Sequence, residues 1–152
     1  MPYELVTPNL QAAIIALLEA DSALTSIIQT KPTAKGGGPA IYDEGDVPLG
    51  QLFPYITIGA WTQTPNHTFS PSGDGWCWNC TVQIKAFSQR VEKTPEVISA
   101  VLAVLEQGTS LLVSFYASAW IDEVNVQPMF KETLAGVTTY QLPVIVRVYA
   151  GD

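Results

Sequence analysis

Two cysteines and one histidine are the side chains with the most obvious capacity to react. Trp76-Cys77-Trp78-Asn79-Cys80 has the Cys-x-x-Cys spacing of a redox dithiol. Such a pair works when its first thiol sits at a helix N-terminus, which lowers its pKa. Here the second cysteine instead opens an alternating run, Cys80 to Phe87, that reads as a strand. Residues three apart on one strand face opposite sides and lie roughly 10 Å apart. A disulfide needs Cα atoms within about 7 Å. The pair is therefore expected to be two small, partly buried residues. A zinc site needs four ligands, and only His67 and scattered acids could complete one. A Ser–His or Cys–His catalytic pair would have to use His67, on a loop flanked by Pro65 and Pro71, with no orienting carboxylate at a recognisable spacing. Asp122-Glu123 and the acids of residues 43–46 could work as general acid and base only if the fold brought them together. Asp43, Glu44 and Asp46 fall short of the oxygen ligands of a calcium loop and read as a solvated turn. Lys35 precedes Gly36-Gly37-Gly38, whereas a phosphate-cradling loop places its Lys after the glycines and a Ser or Thr next. No catalytic residue, metal site or cofactor is expected, and the chain is not expected to be an enzyme. The rival of that class is a small cytosolic thiol-redox or other enzyme using Cys77, Cys80 and His67.

Composition narrows the classes further. The chain has 152 residues, 47% of them apolar, enough for one domain with a sizeable core, taken as residues 1–152. The formal charge is −7, from 14 acids against 7 bases, which argues against gripping a phosphate backbone. No run approaches the apolar length of a membrane span. Met1-Pro2-Tyr3-Glu4 carries no basic region, so no signal peptide is expected and synthesis is expected in the cytoplasm, where both thiols stay reduced. Without secretion, the glycosylation patterns at Asn66 and Asn79 are chance matches.

The elements follow from periodicity. Thr7-Pro8-Asn9 opens a helix with Leu10, Ala13, Ile14, Leu17 and Leu18 on one stripe. Asp21-Ser22 breaks it and caps a short helix carrying Leu24, Ile27 and Ile28. Lys31 to Pro39 is a flexible connection. Ala40-Ile41-Tyr42-Asp43 and Pro54 to Trp61 are strands, the second with Ile56, Ile58 and Ala60 on one face. Thr62 to Trp76 is loop chemistry. In the next strand Cys80, Val82, Ile84 and Ala86 share one face. Thr94-Pro95-Glu96 opens a second main helix, with Thr94 accepting an orphan N–H. Val97, Ile98, Val101, Leu102 and Leu105 form its stripe, worth roughly 8–15 kcal/mol gross when buried. Gly108 caps it. A strand near Ile121–Gln127, a turn region over Pro128–Gly136 and a long strand from Val137 to Ala150 close the chain. Pro143 lacks an N–H and favours an edge or a bulge. The fold class is α+β: an antiparallel or mixed sheet with two main helices packed on one face and a long β-hairpin loop. Phe69, Trp76 and Trp78 lie in or beside that loop, as aromatics suited to anchoring a partner or covering the sheet end.

In this order of elements the chain resembles the tail terminator, or tail-completion, proteins of long-tailed bacteriophages and prophages. The residues that carry the resemblance are the Leu10–Leu18 helix, the segment around Ala23-Leu24-Thr25, and Ile41-Tyr42-Asp43 with its Gly/Pro/acid turn. Pro54-Tyr55-Ile56-Thr57-Ile58-Gly59, the long hairpin loop, the Thr81–Phe87 strand, the Pro95–Leu105 helix and the closing β pair complete it. Gly36-Gly37-Gly38 and the tryptophan-rich loop depart from the pattern. The resemblance implies a structural virion protein at the head-proximal end of the tail. It implies a homo-oligomeric, hexameric ring that caps the tail-tube protein, ends tube polymerisation and presents a head-joining surface to the head–tail connector protein. DNA would pass through without specific binding. A neck or head-completion connector is the alternative of the same class. On this reading Phe69, Trp76 and Trp78 dock to the tube or a neighbouring subunit, and Asp43, Glu44, Asp46, Asp122 and Glu123 face the lumen.

Overall fold

The computed structural model describes residues 7–66, 77–107 and 118–151. Helix α1 spans Thr7–Glu19 and helix α2 spans Ser22–Thr25. The break between them is chemical: the Asp21 carboxylate accepts the Leu24 N–H at 2.8 Å, ending one helix and capping the next. A 3-10 turn at Thr33–Lys35 follows. Gly36, Gly37 and Gly38 then run with φ of +90°, +68° and +81°, a conformation that residues with a Cβ resist. The connection closes on itself, with the Lys31 N–H donating to the Gly38 carbonyl at 2.8 Å.

Strands β1 (Ile41–Asp43), β2 (Tyr55–Asn66) and β3 (Cys77–Ser88) precede helix α3 (Lys93–Gln107). Strands β4 (Ser118–Val126), β5 (Phe130–Leu134) and β6 (Val137–Gly151) follow it. The sheet order is β1-β2-β3-β6-β4, with β5 also paired to β6. β1 runs parallel to β2 and every other pair is antiparallel, so the sheet is mixed.

One face of the sheet is buried under the helices. Ile56 and Ile58 from β2, Cys80, Val82, Ile84 and Ala86 from β3, and Leu142, Val144, Val146 and Val148 from β6 enter one core. Leu10, Ile14, Leu17 and Leu18 of α1 and Val97, Ile98, Val101, Val104 and Leu105 of α3 close it. The registers Ile58↔Ile84, Ile84↔Val144 and Val82↔Val146 keep these side chains on a common face.

Four local expectations are corrected. Residues 62–66 are not loop: β2 continues to Asn66, with Thr62 opposite Thr81 and their hydroxyls hydrogen-bonded. A register shift between Gly59 and Thr62 interrupts the alternation there. Residues 130–134, around Lys131-Glu132, are strand β5 rather than turn. The turn is Ala135-Gly136, both at positive φ (51° and 80°), which matches the twist of a tight hairpin. Pro143 lies in β6, an interior strand. Its carbonyl accepts the Gln127 N–H at 2.9 Å, so its nitrogen points to the seam where β4 ends and β5 begins, and only the reciprocal bond to Gln127, at the end of that ladder, is missing. Thr94 is inside α3, which begins one residue earlier at Lys93, rather than at its cap. It is buried, and its hydroxyl donates toward the Val91 carbonyl (3.3 Å) and the Met129 sulfur (3.2 Å).

Candidate assembly interface

Among the described residues no helix covers the second face of the sheet, which carries polar and charged side chains. Glu44 leaves the end of β1 with its N–H on the Ile58 carbonyl, and its side chain folds back over the sheet. Its carboxylate pairs with Lys85 Nζ at 3.0 Å. Gly59 makes room for this, since a Cβ there would lie 2.6 Å from the Glu44 Cβ. On the far side, Arg147 pairs with Glu123 at 3.0 Å. Gln83, Thr81 and Thr62 lie on the same face, by their pairing with Gly59, Arg147 and each other. The face is thus set with two ion pairs of cancelling charge.

The expected lumen acids do not form one cluster. Asp43, Glu44 and Asp46 belong to the β1 edge, where Gln11 donates to the Asp43 carboxylate. Glu123 is on β4, the opposite edge, and Asp122 occupies the register shift between Ile121 and Glu123. Four strand spacings of about 4.8 Å separate the two groups by about 19 Å, too far for shared acid–base chemistry. Glu44 and Glu123 reach the open face, whereas Asp43 is level with buried Ile58 and meets Gln11 of α1 at the sheet edge.

The two ends of the sheet differ. At one end β2 and β3 pair as far as Asn66↔Cys77, with Trp78 next on β3. Phe69, Trp76 and His67 lie outside the described residues. The other end carries aromatic and aliphatic side chains. Tyr55 stacks on Phe87 with ring centroids 4.9 Å apart, and Phe53 lies 5.1 Å from Tyr55. Leu49 and Leu52 beside them are fully or largely exposed. Tyr42, beneath, hydrogen-bonds Gln51, and burial pushes its phenol above the ordinary pKa; Tyr55 is raised by burial and by Tyr42.

From this second end projects an arm that sequence reasoning missed. The β3–β6 ladder stops at Ser88↔Tyr140, so Val137, Thr138 and Thr139 pair with β5 alone. Every residue of β5 is exposed, and Phe130, Leu134 and Val137 are 57%, 67% and 48% accessible. A two-stranded ribbon wet on both faces is marginal by itself, and its apolar side chains mark a surface for a partner. The available sequence signal was the Ala135-Gly136 turn between β-rich runs.

Chemistry is weak by comparison. Cys80 is fully buried within the core. Cys77 lies on β3, so the helix N-terminus that would activate a dithiol is absent from this motif. Among the described residues no group of His, Cys, Asp and Glu could hold a metal ion. None of their helices is long and apolar enough to cross a membrane.

A chain described as "Virion of native gene transfer agent (GTA) particle" superposes with a TM-score of 0.64 at 14% identity, over 99% of this chain and 100% of that one. A chain from "Structure of bacteriophage SPP1 gp17 protein" aligns at 19% identity with a TM-score of 0.47, over 97% of this chain and 92% of that one. No curated protein sequence matches. The family profile "Tail completion protein gp17" matches residues 12–122, from the first helix through the core strands into β4. The chain therefore belongs to the gp17 family of tail completion proteins, structural components of the bacteriophage virion.

Proposed function

We propose that this tail completion protein forms a ring, hexameric in the simplest case, that caps the tail tube, ends its polymerisation and offers a surface to the head–tail connector. The observation that carries the reading is the division of the molecule into a closed core and unlike ends. The Asn66/Cys77 end of the β2–β3 pair lies at one end and the apolar β5–β6 arm at the other, as a subunit wedged between two different partners requires. The open face would line the channel, with Asp43, Glu44, Asp46, Asp122 and Glu123 along its borders. Its charges are mutually cancelled at Glu44–Lys85 and Glu123–Arg147, which suits a wall that DNA passes without sticking.

Removing the protein from the producing phage or prophage tests the cap directly. Electron micrographs should show overlong tails without heads. Leaking heads on tails of normal length would assign the protein to the neck instead. The turn end is proposed to dock through Phe69, Trp76 and Trp78. Phe69→Ala with Trp76→Ala should leave the fold intact by circular dichroism and impair tail assembly. Normal-length, head-joined tails from that variant would remove the docking role.

A further inference from the structure

Lys85 and Arg147 stand on neighbouring strands in the middle of the sheet, β3 and β6. Lys85 lies between buried Ile84 and Ala86, and Arg147 between buried Val146 and Val148, so both bases belong to the open face. Lys85 is opposite Pro143 on β6, and Arg147 is four residues further along that strand, about 14 Å away at the rise of an extended chain. Bases on an open surface are what a phosphate backbone binds, since a duplex presents one charge per about 1.7 Å of its axis.

Each base is met by a carboxylate that comes from nearer the sheet edge. Glu44 follows β1 and reaches across the width of β2 to Lys85. Its path is kept open at Gly59, where a Cβ would collide with the Glu44 side chain. Glu123 on β4 stands directly opposite Arg147. In both pairs the base is the more covered partner, 21% exposed against 45% for Lys85–Glu44 and 40% against 49% for Arg147–Glu123. Ion pairs this exposed add little to stability, so the fold does not depend on their staying closed.

We propose that Lys85 and Arg147 form a latent binding site for the phosphate backbone of DNA, and that Glu44 and Glu123 occupy it as built-in phosphate substitutes. This rests on the reading of the open face as the channel wall and says how that wall meets DNA without gripping it. A passing phosphate reaches a base only by displacing a carboxylate, one anion for another. The exchange leaves the number of charge contacts unchanged, so it runs in either direction at little cost. Net acidity by itself would act differently, holding the duplex away from the whole surface whichever acids carried the charge.

The test uses the unassembled chain and a short DNA duplex at low salt, with the NMR signals of Lys85 and Arg147 as the readout. Glu44→Gln with Glu123→Gln should bind roughly tenfold more tightly than wild type, with the logarithm of affinity falling against that of salt at a slope of up to about −2. The shifts should centre on the two bases. Glu19→Gln with Glu106→Gln makes the same change in net charge on the helices and should bind as wild type does. Adding Lys85→Gln and Arg147→Gln to the first variant should abolish its gain. Equal gains from the two glutamine pairs would overturn the proposal in favour of net charge alone. No gain from Glu44→Gln with Glu123→Gln would overturn it and leave the ring reading untouched. Particles built with that variant should release DNA more slowly. If the isolated variant gains affinity while its particles release DNA at wild-type speed, the latent site stands and the placing of this face along the channel fails.

Discussion

Gly59 and Tyr42 are the two positions where a single atom matters most. At Gly59 a methyl group would meet the Glu44 side chain at 2.4 and 2.6 Å, so Glu44 must move off the open face. Gly59→Ala should cost about 1–3 kcal/mol in overpacking. It should also leave Lys85 without this carboxylate, lowering the denaturant midpoint and adding affinity for polyanions. At Tyr42, removing the hydroxyl deprives Gln51, 8% exposed, of a hydrogen bond, and Tyr42→Phe should cost about 1–3 kcal/mol. Burial raises the Tyr42 phenol, so folding favours its neutral form. That contribution is complete below the ordinary tyrosine value near 10 and is lost as pH climbs through the higher folded value. The wild-type protein should therefore lose stability in strong alkali. Tyr42→Phe, measured by denaturation at pH 8 and 11, should lose less over that interval. Neither role was legible beforehand. The Gly59 contact depends on a side chain fifteen residues away, and no local pattern reports that.

At the scale of elements, the alternating run in β3 named its buried face correctly: Cys80, Val82, Ile84 and Ala86 are each within 1% of full burial. The α3 stripe was nearly complete, missing only Val104, which lies on the flank of the stripe and packs in the core. Leu105, 2% exposed, should cost about 2–5 kcal/mol when cut to alanine. Leu134→Ala, on the exposed arm, should stay within about 0.5 kcal/mol in the unassembled chain. Equilibrium denaturation of the two variants separates core from arm. The misread stretches share one cause. Residues 62–64 and 130–134 lie in strands and bury little, so hydrophobic alternation, the main local signal, is missing from them. Pro143 was misplaced for another reason: sequence shows a missing donor but not which neighbour would have needed it.

For the whole molecule, the order of elements anticipated a sheet with helices on one side and pointed to the family. The distribution of charge needed coordinates. The −7 net charge is not spread over the open face, where Glu44 and Glu123 each meet a base. Glu44→Lys with Glu123→Lys would remove both pairs and leave Lys85 and Arg147 beside new cations. Particles carrying that double change should release DNA more slowly, with the delay shrinking as salt rises. Release at wild-type speed in low salt would place this face away from the channel.

Pro143 has one more effect. Because the change of neighbour along β6 falls at a residue with no amide proton, the hydrogen bonds on that flank divide into two short sets rather than one continuous ladder. Loosening in residues 130–139 has no route through that flank into the interior. Amides of the outer set should exchange with deuterium early and those of Val144, Val146 and Val148 late. A subunit built this way can wait, fully folded, with its grip undone, and fasten it only on arrival at its post.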